Sequence, residues 1–180
     1  KQMQIGVHLS FQNLHGMPDA EFHLKETQIG VEAEAMGFDF VGSVEHHFTD
    51  YAACPDPIQA LTWIAAKTKT IKLMPAAVIL PWNDPLRVVE KAAMLDSVSE
   101  GRMILGRGRG AARREFNACR KDLADSRELF DEAAIIIAGL YFGRDLLILR
   151  VFQALIGSAS CALLGMAGVR MFSPPVGTLA

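Results

Sequence analysis

Two adjacent histidines, His46 and His47, follow Glu45 in the segment VEHHFTDY (44–51) at the end of an apolar run. An imidazole titrates near neutrality, so the pair suits proton transfer. It also suits metal ligation, or a hydrogen-bonded polar turn at a strand end. Side chains alternate along a strand, so Glu45 and His47 are expected on one side and His46 on the other. Adjacent histidines so arranged do not share one metal easily. Beyond His8, the only candidate third ligand, no Cys, Asp or His lies at a zinc-like spacing, so no metal site is expected.

A second chemical stretch is LGRGRGAARREF (105–116). Arg107 and Arg109 are two apart and face one side if the strand continues. Gly106, Gly108 and Gly110 would let a ligand approach the backbone, although the spacing matches neither a Walker loop nor a G-x-G-x-x-G fingerprint. Arginines among exposed amides suit a phosphate; a solvated basic loop is the plainer alternative. A third stretch is PAAVILP (75–81), where Ala76 and Ala77 interrupt bulky residues. They leave room for a flat ligand, or pack as ordinary core.

The elements that would position these residues alternate. Strands are expected at 3–9, 38–44, 71–80 and 102–108, and helices at 21–37, 56–68, 84–101 and 125–141. On the first helix Phe22, Ile29, Ala33 and Met36 share a face, and Gly37 stands where a C-terminal cap belongs. The next two helices open on Asp56-Pro57 and Asp84-Pro85, a capping carboxylate followed by a proline with no N–H to satisfy; Gly101 closes the second of them. Near-continuous apolar strands between helices imply a covered parallel sheet. The period of about 30 to 35 residues suits one βα unit of a barrel, and a closed barrel needs roughly 250 residues. The chain has 180 residues, so about four units are expected, an incomplete (β/α)8 TIM-barrel type fold.

Composition narrows the class. Apolar residues make up 51% and charged residues 21%, a globular balance, and the formal charge of −2 gives no reason to expect nucleic acid. Three scattered cysteines, and no secretory stretch ahead of the first strand, set the expectation of a reducing cytoplasm. The chain does not begin at Met, so Lys1 and Gln2 are read as a processing remnant. Residues 151–169 carry no charged side chain. This stretch is expected to be a helix docked on the sheet edge or mediating self-association, rather than a membrane span. The organisation expected is a half-barrel at 1–144 and an apolar tail at 145–180.

GFDFVGSVEHHFTDY, AAVILPWNDPLRVVEKAAMLDSVSEGR, LGRGRG and DSRELFDEA occur in an order and spacing that resembles the bacterial luciferase-like flavin monooxygenases, most of all their alkanal monooxygenase branch. The resemblance runs from about Met3 to about Leu140. It implies a (β/α)8 barrel that uses reduced FMN and O2 as co-substrate to oxygenate a small apolar molecule. A separate flavin reductase would supply the reduced FMN, and the protein would assemble as a homo- or hetero-oligomer. His46 matches the family's essential histidine, with His47 beside it in the catalytic wall. Ala76-Ala77 matches a non-prolyl cis peptide beside the flavin, and Arg109 the arginine on the FMN phosphate; Glu45 and Gly108 complete the cofactor side. Gly108 stands where family members often have Cys, and Cys119-Arg120 where a Phe-Gly pair is common. The other phosphate ligands of the family come from later strands, which nothing in residues 141–180 matches. Two further readings are a half-barrel without turnover and a deazaflavin-dependent hydride-transfer enzyme.

Overall fold

The computed structural model describes residues 3–49 and 51–141. Almost all of them lie in the first of two compact units, Lys1–Ile137. The second, Ala138–Ala180, adds only the end of the last helix to the described residues. The expected tail at 145–180 lies outside them.

Three parallel strands form the main sheet: β1 (Gly6–Leu9), β2 (Phe40–Ser43) and β3 (Lys72–Pro75). Their register aligns Val7 with Val41 and Leu73, and His8 with Gly42 and Met74. The odd-numbered face carries Leu9, Val41 and Leu73, all buried under the helices. Each such side chain contributes about 1.5–3 kcal/mol through burial. The opposite face carries His8, Gly42 and Met74. There the Phe40 ring lies over Gly6, where a β-carbon would come within 2.3 Å of it.

The single strand expected at 71–80 is two. After β3 the Ala76–Ala77 peptide is cis, and β4 (Val78–Ile79) resumes beyond it, pairing in parallel with β5 (Arg107–Gly108). The fourth expected strand, 102–108, is likewise reduced to a Leu73–Met103 bridge and β5. Gly106 explains the interruption: its backbone crosses so close to β3 that a β-carbon would sit 2.0 Å from the Pro75 carbonyl oxygen.

The helices are α1 (Asp19–Ala35), α2 (Pro57–Ala65), α3 (Pro85–Val98), a short α4 (Arg113–Ala118) and α5 (Ser126–Tyr141). Both Asp-Pro starts act as expected. Asp56 Oδ1 accepts from the Ile58 and Gln59 amides at 3.0 and 3.1 Å, and Asp84 Oδ1 from those of Leu86 and Arg87 at 2.9 and 3.1 Å. Each cap is worth about 1 kcal/mol. Asp56 Oδ2 also takes the Lys91 ammonium at 2.9 Å, tying α2 to α3. Gly37 follows α1 with φ +84°, the left-handed cap position.

The buried face of α1 is not the expected one. Phe22 and Ala33 are buried, but Ile29 is 46% and Met36 74% exposed. Thr27 and Gly30 are buried in their place. The helix is turned so that Gly30 presses on Ile64 and Leu9, where a β-carbon would lie 2.6 Å from Ile64 Cδ1. Close backbone packing at the glycine outweighs the two apolar side chains.

One buried cation anchors the sheet away from the strand C-termini. Arg102 is 7% exposed. Its Nε donates to Ser99 O at 2.8 Å, Nη1 to Thr68 Oγ1 at 2.9 Å and Ile71 O at 3.1 Å, and Nη2 to Ala65 O at 3.0 Å and Thr68 O at 3.2 Å. All five guanidinium donors are thereby used, joining the ends of α2 and α3 to the start of β3.

Candidate active site

Past the end of β2 the chain leaves the sheet, and the His46 amide donates to Cys54 O at 2.9 Å. The alternation expected of a strand persists here. His47 Nε2 meets Glu45 Oε1 at 3.1 Å, while His46 turns the other way, its Nδ1 meeting Glu115 Oε1 at 3.0 Å.

Glu45 is 4% exposed and fully engaged. Its Oε1 accepts also from Asn83 Nδ2 at 2.8 Å, and its Oε2 from the Ile79 amide at 2.7 Å. It therefore braces the turn after β2 against β4. The hydrogen bond to Glu45 raises the His47 pKa above its usual 6.5, although burial works against it. A raised folded value means that this pairing stabilises the fold fully below the unfolded pKa, and that the stabilisation fades as pH rises through the folded one. The His47 ring stacks edge-on against Trp82 at 5.3 Å, and Trp82 against Phe116 at 5.4 Å.

Glu115 lies on α4, an element the sequence pattern did not reveal. The side chain is 4% exposed, and the same Oε1 that meets His46 accepts from the His47 amide at 2.7 Å. Its Oε2 is buried without a hydrogen-bond partner among the described residues, as is Trp82 Nε1.

These residues enclose a cavity of about 250 Å³. Glu45, His46 and Glu115 line it on one side, Ala76, Ala77, Ile79 and Trp82 on another, and Gly110 to Ala112 on a third. Of the residues expected in the site, Glu45, His46, Ala76 and Ala77 thus come together. His47 stands behind the wall. Gly108 and Arg109 are not among the lining residues. A β-carbon at Gly108 would lie 3.0 Å from Ile79 Cδ1 and 3.2 Å from Ala77 Cβ. At Gly110, whose φ is +74°, it would lie 2.7 Å from Ile79 Cγ2 and 3.1 Å from Trp82 Cζ2. The space missing at these glycines is filled by neighbouring protein atoms. Arg109 is exposed and donates through Nη1 to Ser126 Oγ at 3.2 Å. Glu115, Trp82 and Asn83 were not foreseen. Only Glu115 left a trace, as an acid inside an otherwise basic stretch.

Among the described residues no cluster of three or more His, Cys, Asp or Glu side chains could hold a metal ion. Among them, too, no helix is long and apolar enough to cross a membrane.

The chain matches the family described as luciferase-like monooxygenase over residues 3–146. It is 34% identical over 104 residues to the alkanal monooxygenase alpha chain of Photorhabdus luminescens, covering 58% of this chain and 29% of that protein. The alkanal monooxygenase alpha chain of the Kryptophanaron alfredi symbiont is 35% identical over 103 residues, with 57% and 29% covered. Among solved structures, the monooxygenase RslO1 from Streptomyces bottropensis superposes with a TM-score of 0.73 at 31% identity, over 77% of this chain and 43% of that one. The oxygenating constituent of 3,6-diketocamphane monooxygenase from Pseudomonas putida, solved in complex with FMN, gives 0.72 at 22% identity, over 78% and 40%; at that identity the likeness speaks for the fold. The match therefore spans less than a third of the alkanal monooxygenase chains. Four βα units, parallel throughout, with a family match over most of the length, make this chain a member of the luciferase-like monooxygenase family, with an incomplete (β/α)8 barrel fold.

Proposed function

We propose that the chain carries the oxygen-handling side of an FMN-dependent monooxygenase acting on an apolar substrate of the aldehyde or alkane type. The observation that carries this reading is His46, a proton-transfer side chain, opening onto a cavity floored by Ala76, Ala77 and Gly110 to Ala112. Small side chains beside an imidazole suit one face of a flat ring. The volume of about 250 Å³ lies just below the roughly 300–1,000 Å³ of small-molecule sites, so these residues fit one wall of such a site. Reduced flavin supplies the electrons with which O2 is activated. The chain's own residues would do the rest: His46 would hold or move a proton, Glu45 and His47 keep the wall in place, and Ala76 and Ala77 would offer the small side chains against which a flat ring can lie. Arg109, with Gly108 before it, is the candidate for the FMN phosphate. The reading of the substrate class is supported by the alkanal monooxygenase relatives, and that of the cofactor by the family as a whole and by a neighbour of the same fold solved with FMN. The reading extends to a flavin reductase as FMNH2 source, a homo- or hetero-oligomer, a cytoplasmic setting, and a functional unit at 1–144.

A second reading, a half-barrel or interaction module without turnover, draws support from Arg109, which bonds Ser126 and stands outside the cavity lining. Anaerobic titration of the chain with reduced FMN, followed by O2 and a long-chain aldehyde, separates the two. Binding followed by acid product supports the first; undetectable binding, or binding without product, supports the second. His46→Ala should keep flavin binding and abolish product. Turnover at the parental rate would remove His46 from the chemistry.

A further inference from the structure

Glu45 and Glu115 flank the two histidines, and their bonding differs. Glu45 has both oxygens engaged, by Ile79, Asn83 and His47, as a bracing carboxylate should. Glu115 is as deeply buried, yet places two contacts on one oxygen and leaves the other, Oε2, without a partner among the described residues. It also lines the cavity beside His46. The two contacts constrain each other. A backbone amide can only donate, so the His47 N–H at 2.7 Å makes Oε1 an acceptor. An ionised carboxylate offers no hydrogen of its own, so the His46 Nδ1 at 3.0 Å from that oxygen must carry one. The other ring nitrogen, Nε2, then bears a lone pair, and it has no hydrogen-bond partner among the described residues.

We propose that Glu115 is the positioning residue for His46, holding the imidazole in its Nδ1–H tautomer so that Nε2 is the proton acceptor. This rests on the reading of His46 as the proton-transfer group. Glu115 reaches the reacting atoms only through His46. The anchor on the His47 amide keeps Oε1 fixed while it does so.

The test needs neither flavin nor turnover. Ring ¹⁵N shifts of His46 are recorded on the full chain, labelled at histidine, at a pH above the imidazole range. The wild type should show the Nδ1–H form as the dominant species. Glu115→Gln keeps an amide oxygen for both donors and should retain that form. Glu115→Ala should make Nδ1–H the minor form, because free imidazole prefers the Nε2–H tautomer. A His46 ring that is Nε2–H in the wild type overturns the proposal without any variant. So does an unchanged tautomer in Glu115→Ala. If Glu115→Ala does not fold, Glu115→Leu takes its place and is read the same way. Where the chain turns over, Glu115→Ala should cut kcat about tenfold or more with KM little changed, below the roughly 100- to 10,000-fold that a proton-transfer group contributes. If the tautomer results hold but His46→Ala retains full turnover, the reading of His46 falls while the Glu115 contact stands.

Discussion

Replacing Glu34 by Gln tests the electrostatics of the scaffold. Glu34 sits in the last turn of α1 and reaches the loop ahead of β3. Its Oε2 accepts from the Thr70, Ile71 and Lys69 amides at 2.6, 2.8 and 2.9 Å and from Thr70 Oγ1 at 3.1 Å. Burial alone would raise its pKa, but the Ile71, Thr70 and Lys69 amides together outweigh it and hold the group at about 2, against 4.5 for the free side chain. At full strength that gap corresponds to ~3.4 kcal/mol; the carboxylate lies near solvent, so screening reduces the expected contribution to about 1–2 kcal/mol. A depressed folded value means that the stabilisation is complete above the unfolded pKa and is lost as pH falls through the folded one. Urea unfolding of the wild type and Glu34→Gln, followed by circular dichroism from about pH 6 to about pH 2, should therefore show a difference that shrinks with acidity. Taking the difference cancels the other carboxylates. A difference that stays constant across the range would refute the reasoning and make the contact a purely steric one.

Three further outcomes are expected. Arg102→Leu strands four carbonyls in the interior and should cost at least ~3 kcal/mol in denaturant unfolding. Arg109→Ala should weaken FMN about ten- to a hundredfold in a fluorescence titration while leaving riboflavin, which lacks phosphate, nearly unaffected; equal losses would trace the effect to folding. Arg120 follows α4 with φ +56°, a left-handed conformation that disfavours any residue but glycine. Arg120→Gly should raise stability by about 1 kcal/mol in thermal unfolding, and a lower Tm would contradict the conformational argument.

Short-range chemistry was legible in the sequence; long-range geometry was not. Asp56-Pro57 and Asp84-Pro85 specify helix starts within four residues, and the structure follows them. Gly37 marks its cap for the same local reason. The Arg120 position was visible as a departure from a Phe-Gly pair, although its backbone conformation was not. The strands were overdrawn because an apolar run does not reveal where a neighbour crosses, as Gly106 crosses Pro75. The buried face of α1 departs from its apolar pattern because Gly30 packs by its backbone and contributes nothing to that pattern. α4 is only six residues long and has no side-chain cap, so no periodicity announces it. Of the residues that line the cavity, His46 stood out by type and by its place at a strand end, while Ala76 and Ala77 were singled out through the family resemblance; the pairing of Glu115 with His46 was not legible, because the two are distant in the chain.

That distance bears on how the protein folds. The His46–Glu115 contact spans 69 residues, whereas β1 pairs with β2, and β2 with β3, across only about half that separation. Contacts between distant segments carry a larger loop-closure cost and tend to form later. The first three βα units can thus assemble while the imidazole of His46 still turns freely. It acquires its orientation only when the short helix after β5 docks. A chain released early from synthesis, before the glycine-rich segment, would keep the three-stranded sheet, lack the α5 side chains Ala133 and Ile137 in its core, and lack an oriented histidine as well. In such a fold, completion of the scaffold and arming of the site are separate events on one folding coordinate.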